Sequence, residues 1–240
     1  MNINFPFDSQ DFSAENFEIF ERSEIKKTLK EFIEVYKGRP FENSGGMKLN
    51  SAFSYYFLLK KINPNFVVES GIWRGFSTWL IEETLENPKV LCLDPVLMMP
   101  LNLGEVYRSK NATYSTHDFS CSEIRLGLDN EACVIFDDHQ NALPRLEQAA
   151  QYGFKHIIFD DNLYKDTYHV TLMNLIRDKH PVLEYMFEYI ESCYLFPSIM
   201  IPLEYCPVQP LFSEVPIELQ DFNLDEELEY TWVTYIKVKP

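Results

Sequence analysis

A chain of 240 residues with 21 lysines and arginines against 37 aspartates and glutamates carries a formal charge of −16. That field repels polyanions, and with no local basic patch to interrupt it the composition excludes nucleic-acid substrates. The length suits one sizeable α/β domain with a modest extension. The opening residues, Met1 to Asp8, have neither the basic start nor the apolar core of a secretion signal, and no apolar run is long enough to span a bilayer. A cytoplasmic protein with no membrane partner is therefore expected. The cysteines, Cys92, Cys121, Cys133, Cys193 and Cys206, form no C-x-x-C pair and read as reduced structural thiols.

In chain order, residues 14–37 place Phe17, Phe20, Ile25, Leu29, Phe32, Ile33 and Tyr36 at helical spacing, and residues 51–61 read as a second helix. Residues 1–63 form an N-terminal helical cap on this reading. The aromatics Phe53, Tyr55, Tyr56 and Phe57 of the second helix look exposed and suggest a homodimer contact. A βα rhythm then begins: strand 66–69, helix 77–85, strand 90–94, strands 112–116 and 133–136, helix 142–152 and strand 156–159. Continuously apolar strands are those buried on both faces, as in a parallel sheet wrapped by helices. The expected fold class is α/β, doubly wound and Rossmann-like, over residues 64–240. Beyond it, residues 168–180 look helical and residues 185–190 and 232–238 look like strands. The stretch 194–229 holds Pro197, Pro202, Pro207, Pro210 and Pro216, too dense for a regular element, so it reads as a long ordered insertion with an acidic tail at Asp225, Glu226, Glu227 and Glu229.

The most informative segment is Phe66-Val67-Val68-Glu69-Ser70-Gly71-Ile72-Trp73-Arg74-Gly75-Phe76-Ser77, a strand that hands the chain to a helix across a turn bracketed by glycines. Gly71 and Gly75 permit positive φ and a close approach of a ligand to the backbone. Glu69 is expected to face the crevice at the strand's carboxyl end. Asp94 ends the second strand, where an acid can accept from two ribose hydroxyls. Together these point to an adenosine cofactor, either a nicotinamide dinucleotide or S-adenosylmethionine. Ile72, Trp73 and Arg74 fill the interval in which a pyrophosphate would require a further glycine, which favours S-adenosylmethionine. Two further strand ends, Phe136-Asp137-Asp138-His139 and Phe159-Asp160-Asp161-Asn162, carry acids. Two carboxylates and an amide oxygen converging there would suit Mg²⁺ or another divalent cation. Strand alternation turns one acid of each pair inward, and Asp137 and Asp160 are the alternatives to their neighbours.

The ordered set Glu69 to Ser77, Leu93-Asp94, Asp138-His139 and Asp161-Asn162 resembles the Mg²⁺-dependent, catechol-type class I O-methyltransferases. The Gly71 to Gly75 turn is also similar to that of sugar O-methyltransferases from macrolide biosynthesis. The resemblance covers residues 66–162 and implies a seven-stranded, mostly parallel sheet with a C-terminal antiparallel pair. It also implies a role for each residue. Gly71, Trp73, Gly75 and Ser77 would line the methionine part of S-adenosylmethionine, with Glu69 orienting the turn. Asp94 would hold the ribose and Asp118 would contact the adenine. Asp138, Asp161 and Asn162 would bind the metal. The implied activity is metal-assisted transfer of a methyl group to a hydroxyl of a small molecule. One position departs from the catechol pattern: the lysine general base is replaced by Asn141. His139 is then the nearest candidate base, or else a cofactor contact, and a sugar or natural-product glycoside becomes the favoured substrate. A catalytically silent member that keeps the fold as a binding or assembly module is the alternative.

Overall fold

The computed structural model describes residues 20–43, 45–97, 104–121, 123–124, 126, 131–160, 162–163, 169–178, 180–182, 185, 189–200, 208–224 and 231–239. Two helices, α1 (Arg22–Lys37) and α2 (Leu49–Ile62), precede β1 (Phe66–Ser70), α3 (Phe76–Thr84), β2 (Lys89–Leu93) and β3 (Ala112–Ser115). Then come β4 (Ala132–Phe136), α4 (Ala142–Tyr152), β5 (His156–Phe159), α5 (Leu172–Arg177), β6 (Ile190–Leu195) and β7 (Thr234–Val238). They build one seven-stranded sheet in the order β3-β2-β1-β4-β5-β7-β6. The first five strands are parallel, whereas β7 runs antiparallel to both β5 and β6.

The parallel centre forms because Val67, Val68, Cys133, Val134, Ile135, Ile157 and Ile158 are apolar on both faces and become fully buried between helix layers. The chain runs from β1 outward to β2 and β3, then returns to β4 on the other side of β1. The strand order therefore reverses between β1 and β4, and the crevice at their carboxyl ends is where such sheets take ligands.

The four aromatics of helix α2 do not form an exposed face. Phe53, Tyr55, Tyr56 and Phe57 are all buried within the chain: Phe53 packs on Phe32 and Phe196, and Phe57 on Phe196. A helix that is apolar all round is an interior helix, which explains the correction. The helices and the sheet share one continuous core. The strand expected at 185–190 lies five residues further on, because β6 must match β7, with Tyr194 opposite Tyr235 and Leu195 opposite Thr234. Tyr185 and Tyr189 instead stand one helical turn apart, with hydroxyls 3.0 Å apart. The proline-rich stretch buries Ile199, Val208, Leu211 and Leu219 against the core, while its acidic tail, Asp225 to Glu229, lies outside the described residues. Among the described residues no helix is long and apolar enough to cross a membrane.

Candidate active site

The turn after β1 is shaped by close approach of backbone to backbone. Gly71 (φ +91°) donates its N–H to the Leu93 carbonyl, and an added Cβ there would stand 2.0 Å from the Asp137 carbonyl oxygen. Gly75 (φ +86°) is pressed in the same way against the Tyr107 carbonyl, at 2.3 Å. Arg74 stitches the outside of the turn, donating to the carbonyls of Glu105 and Glu42 while its guanidinium lies over the Phe41 ring. It pairs with backbone and not with Glu69. Trp73, held at φ 48°, is 44% exposed at the rim and does not plug the space beneath the turn.

Above the crevice lies a cavity of about 760 Å³, a size typical of small-molecule sites. Its floor and walls bring together Gly71, Trp73, Asp94, Asp118, Asp138 and His139 from the carboxyl ends of β1 to β4. Asp94 is fixed by two backbone donors, the N–H of Ile72 at 3.2 Å and that of Val96 at 2.9 Å, and lines the cavity. Asp118 accepts both terminal nitrogens of Arg145, at 3.1 and 2.6 Å, and these bonds hold its carboxyl well below the usual carboxylate range against the opposing effect of burial.

Three residues expected in the cavity are elsewhere. Glu69 is fully buried beneath the turn, where its Oε2 accepts the hydroxyl of Thr78 at 2.5 Å and the thiol of Cys92 at 3.2 Å. Ser77 does not line the cavity either. Burial pushes the Glu69 carboxyl up, and its Oε1 has no hydrogen-bond partner. Side chains alternate along a strand, so Ser70, one residue on, takes the cavity face that Glu69 was expected to occupy. Gly75 likewise shapes the turn without lining the cavity.

Of the predicted metal ligands, the two that are described, Asp138 and Asn162, are both engaged by protein partners. Asp138 accepts the Ser70 hydroxyl at 2.6 Å and the Arg145 guanidinium at 2.9 Å on Oδ2, and the Gln140 N–H at 3.2 Å on Oδ1. The carboxamide of Asn162 is 2% exposed; its oxygen accepts the Met173 N–H at 3.1 Å and its nitrogen donates to Thr234. Asp161 lies outside the described residues. Among the described residues no three His, Cys, Asp or Glu side chains are placed to hold a metal. A guanidinium already seated on Asp138 would also repel a second cation on the same oxygen. As placed, Asp138 and Asn162 do not fit a divalent ion. It is Asp160 that joins Asp138 in lining the cavity, with Thr231 donating to its carboxylate. Burial, opposed by Arg145 and Ser70, pushes the Asp138 carboxyl up.

Arg145 is the residue that sequence reasoning missed. Its signal was present: in α4 the buried positions are Ala142, Arg145, Leu146 and Ala149, and an arginine on a core-facing stripe requires buried acids to meet it. Asn141, in the position of the missing lysine, is structural, accepting the Val170 N–H at 2.7 Å. His139 is held at φ 53° on the cavity wall, its ring centroid 5.9 Å from that of His169. His156 is buried far from the cavity, at the opposite end of β5, bonded to Tyr235 and Glu131.

Among solved structures, the chain is similar to the tRNA (m1A58) methyltransferase TrmI from Aquifex aeolicus, with a TM-score of 0.50, 16% identity and coverage of 89% of this chain and 76% of that one. The fold is the Rossmann-like methyltransferase fold. An S-adenosylmethionine-dependent O-methyltransferase from Thermotoga maritima is also similar (TM-score 0.46, 10% identity, 88% and 71% of the two chains). So is the S-adenosylhomocysteine-bound methyltransferase PaMTH1 from Podospora anserina (0.44, 10%, 100% of both chains). No family model and no curated protein matches the sequence. The methyltransferase fold accounts for the strand order, the antiparallel β7 and the position of the crevice.

Proposed function

We propose that this protein is an S-adenosylmethionine-dependent O-methyltransferase acting on a hydroxyl of a small molecule, with a sugar or glycoside favoured. The observation that carries the reading is the convergence of Gly71, Trp73, Asp94, Asp118 and His139 on one cavity at the β1/β4 crevice.

When bound, S-adenosylmethionine supplies an electrophilic methyl group on a sulfonium centre. Asp94, its carboxylate oriented by the Ile72 and Val96 amides, is placed to accept from ribose hydroxyls. Asp118, immobilised by Arg145, stands at the adenine end. Trp73 lines the cavity at its rim. His139 is the candidate base: an imidazole nitrogen takes the hydroxyl proton as the substrate oxygen forms its bond to the methyl carbon and the sulfur–methyl bond breaks. Favouring a small molecule is the net charge of −16, which opposes polyanionic substrates.

The test is transfer of labelled methyl from S-adenosylmethionine to a panel of hydroxylated sugars and glycosides, with and without chelator. Transfer is expected in both conditions. Loss on chelation, restored by Mg²⁺, would return the divalent ion to the mechanism, and no transfer to any acceptor would favour the silent binding module. In the same assay His139→Gln is expected to slow transfer by about 10²-fold or more while affinity for S-adenosylhomocysteine stays within about threefold. A loss of affinity instead would make His139 a cofactor contact.

A further inference from the structure

The cavity wall contains five carboxylates, those of Asp94, Asp118, Asp137, Asp138 and Asp160, and a single cationic side chain, Lys48, among the described residues. The nearby cations are spent. Arg145 is divided between Asp118 and Asp138, and Arg74 is bonded to two backbone carbonyls. Lys48 is half-buried and has no ion-pair partner among the described residues. Its backbone is rigidly placed at the start of α2: its carbonyl accepts the Ala52 N–H at 2.9 Å, and the preceding residue is tied down by Asn43, which donates to the Met47 carbonyl at 3.1 Å. One turn on, Ser51 meets Thr231 at 3.1 Å, and Thr231 donates to Asp160, so the first turn of α2 is fastened to the end of β5.

An anion entering this cavity is repelled by its walls everywhere except beside Lys48. Under the reading proposed above, on which this inference rests, the cofactor's methionine end brings an ammonium and a carboxylate. The ammonium suits the acidic wall; the carboxylate requires a cation. We propose that Lys48 anchors the α-carboxylate of the cofactor through a charge-assisted hydrogen bond from Nζ. The helical cap thereby becomes part of the cofactor site, and Lys48 selects cofactors that carry the amino-acid group over truncated adenosyl thioethers.

Isothermal titration of two probes tests this: S-adenosylhomocysteine, and 5′-methylthioadenosine, which shares the adenosyl thioether but lacks the ammonium and carboxylate. Lys48→Met is expected to weaken S-adenosylhomocysteine by about 10- to 100-fold and leave 5′-methylthioadenosine unchanged, which also reports that the variant is folded. Lys48→Arg, which keeps the charge, is expected to bind S-adenosylhomocysteine within about fivefold of wild type. Unchanged S-adenosylhomocysteine affinity in Lys48→Met overturns the anchor and leaves the cofactor reading standing, and an equal loss of both probes overturns it as a structural effect. If the wild-type protein binds neither probe, the cofactor reading fails and the anchor fails with it.

Discussion

Gly71→Ala is expected to destabilise the protein by about 3 kcal/mol or more and to abolish cofactor binding. A side chain at φ +91° is strained in any surroundings, and here the new Cβ would also stand 2.0 Å from the Asp137 oxygen and 2.6 Å from its carbonyl carbon, both backbone atoms. Neither can rotate away. Asp137 is held to β1 by its own N–H, which donates to the Ser70 carbonyl at 2.9 Å, so relief requires the exits of β1 and β4 to part. That motion would carry Asp138 and His139 off the cavity wall. Gly45→Ala is the control: its φ is also positive, at +73°, but nothing lies within 4 Å of the added atom, so only the backbone cost of about 1 kcal/mol is expected. Urea unfolding of the two variants side by side measures the difference. Equal destabilisation would show that the β1/β4 contact yields to the added atom.

Arg145→Met is the second large effect. The guanidinium, 5% exposed, lies between Asp118 and Asp138, whose side chains are 35% and 11% exposed. Removing it leaves Asp138 as a nearly buried, unpaired carboxylate, a loss of about 3–5 kcal/mol at neutral pH. The pH dependence should change in size. In the wild type the depressed Asp118 pKa contributes stability that is present above the ordinary carboxylate range and is lost as pH falls through the lower, folded-state value. Asp138 works in the opposite sense: its folded pKa is raised, chiefly by burial, so the ionised form costs stability at neutral pH and protonation relieves that cost. With Arg145 gone the upward shift of Asp138 grows and the downward shift of Asp118 shrinks, so the variant should gain more stability than the wild type as pH falls from neutral toward the ordinary carboxylate range. Adding Asp138→Asn should recover most of the loss. A destabilisation below about 1 kcal/mol with the pH dependence of the wild type would mean that the acid pair does not depend on the arginine.

The parts of this molecule that local chemistry dictates could be read before the fold was known. Apolar runs such as Cys133 to Phe136 can be stable only between two layers, and the glycines around Ile72 to Arg74 are needed because backbone meets backbone there. What was not legible depended on the partner surface. Glu69 and Ser70 end the same strand, and only the position of Thr78 and Cys92 decides that the glutamate goes under the turn while the serine meets Asp138. Asn162 follows β5 closely enough to suggest a metal ligand, but Met173 and Thr234, distant in sequence, claim both ends of its carboxamide. The register of β6 is set by its antiparallel neighbour, which local periodicity does not carry. Arg145 was missed, and Phe53, Tyr55, Tyr56 and Phe57 were misread: a charge inside a buried stripe is a request for partners, and a helix apolar on every face belongs inside.

The central claim is that the cavity over Gly71 and Asp94 binds an adenosyl cofactor, and equilibrium titration of the wild-type protein with S-adenosylhomocysteine tests it most directly. The account predicts saturable binding of one ligand per chain with a dissociation constant of about 1–100 μM, weakened about tenfold or more by Asp94→Ala. No detectable binding at a ligand concentration of about 1 mM, or binding that Asp94→Ala leaves untouched, would contradict it.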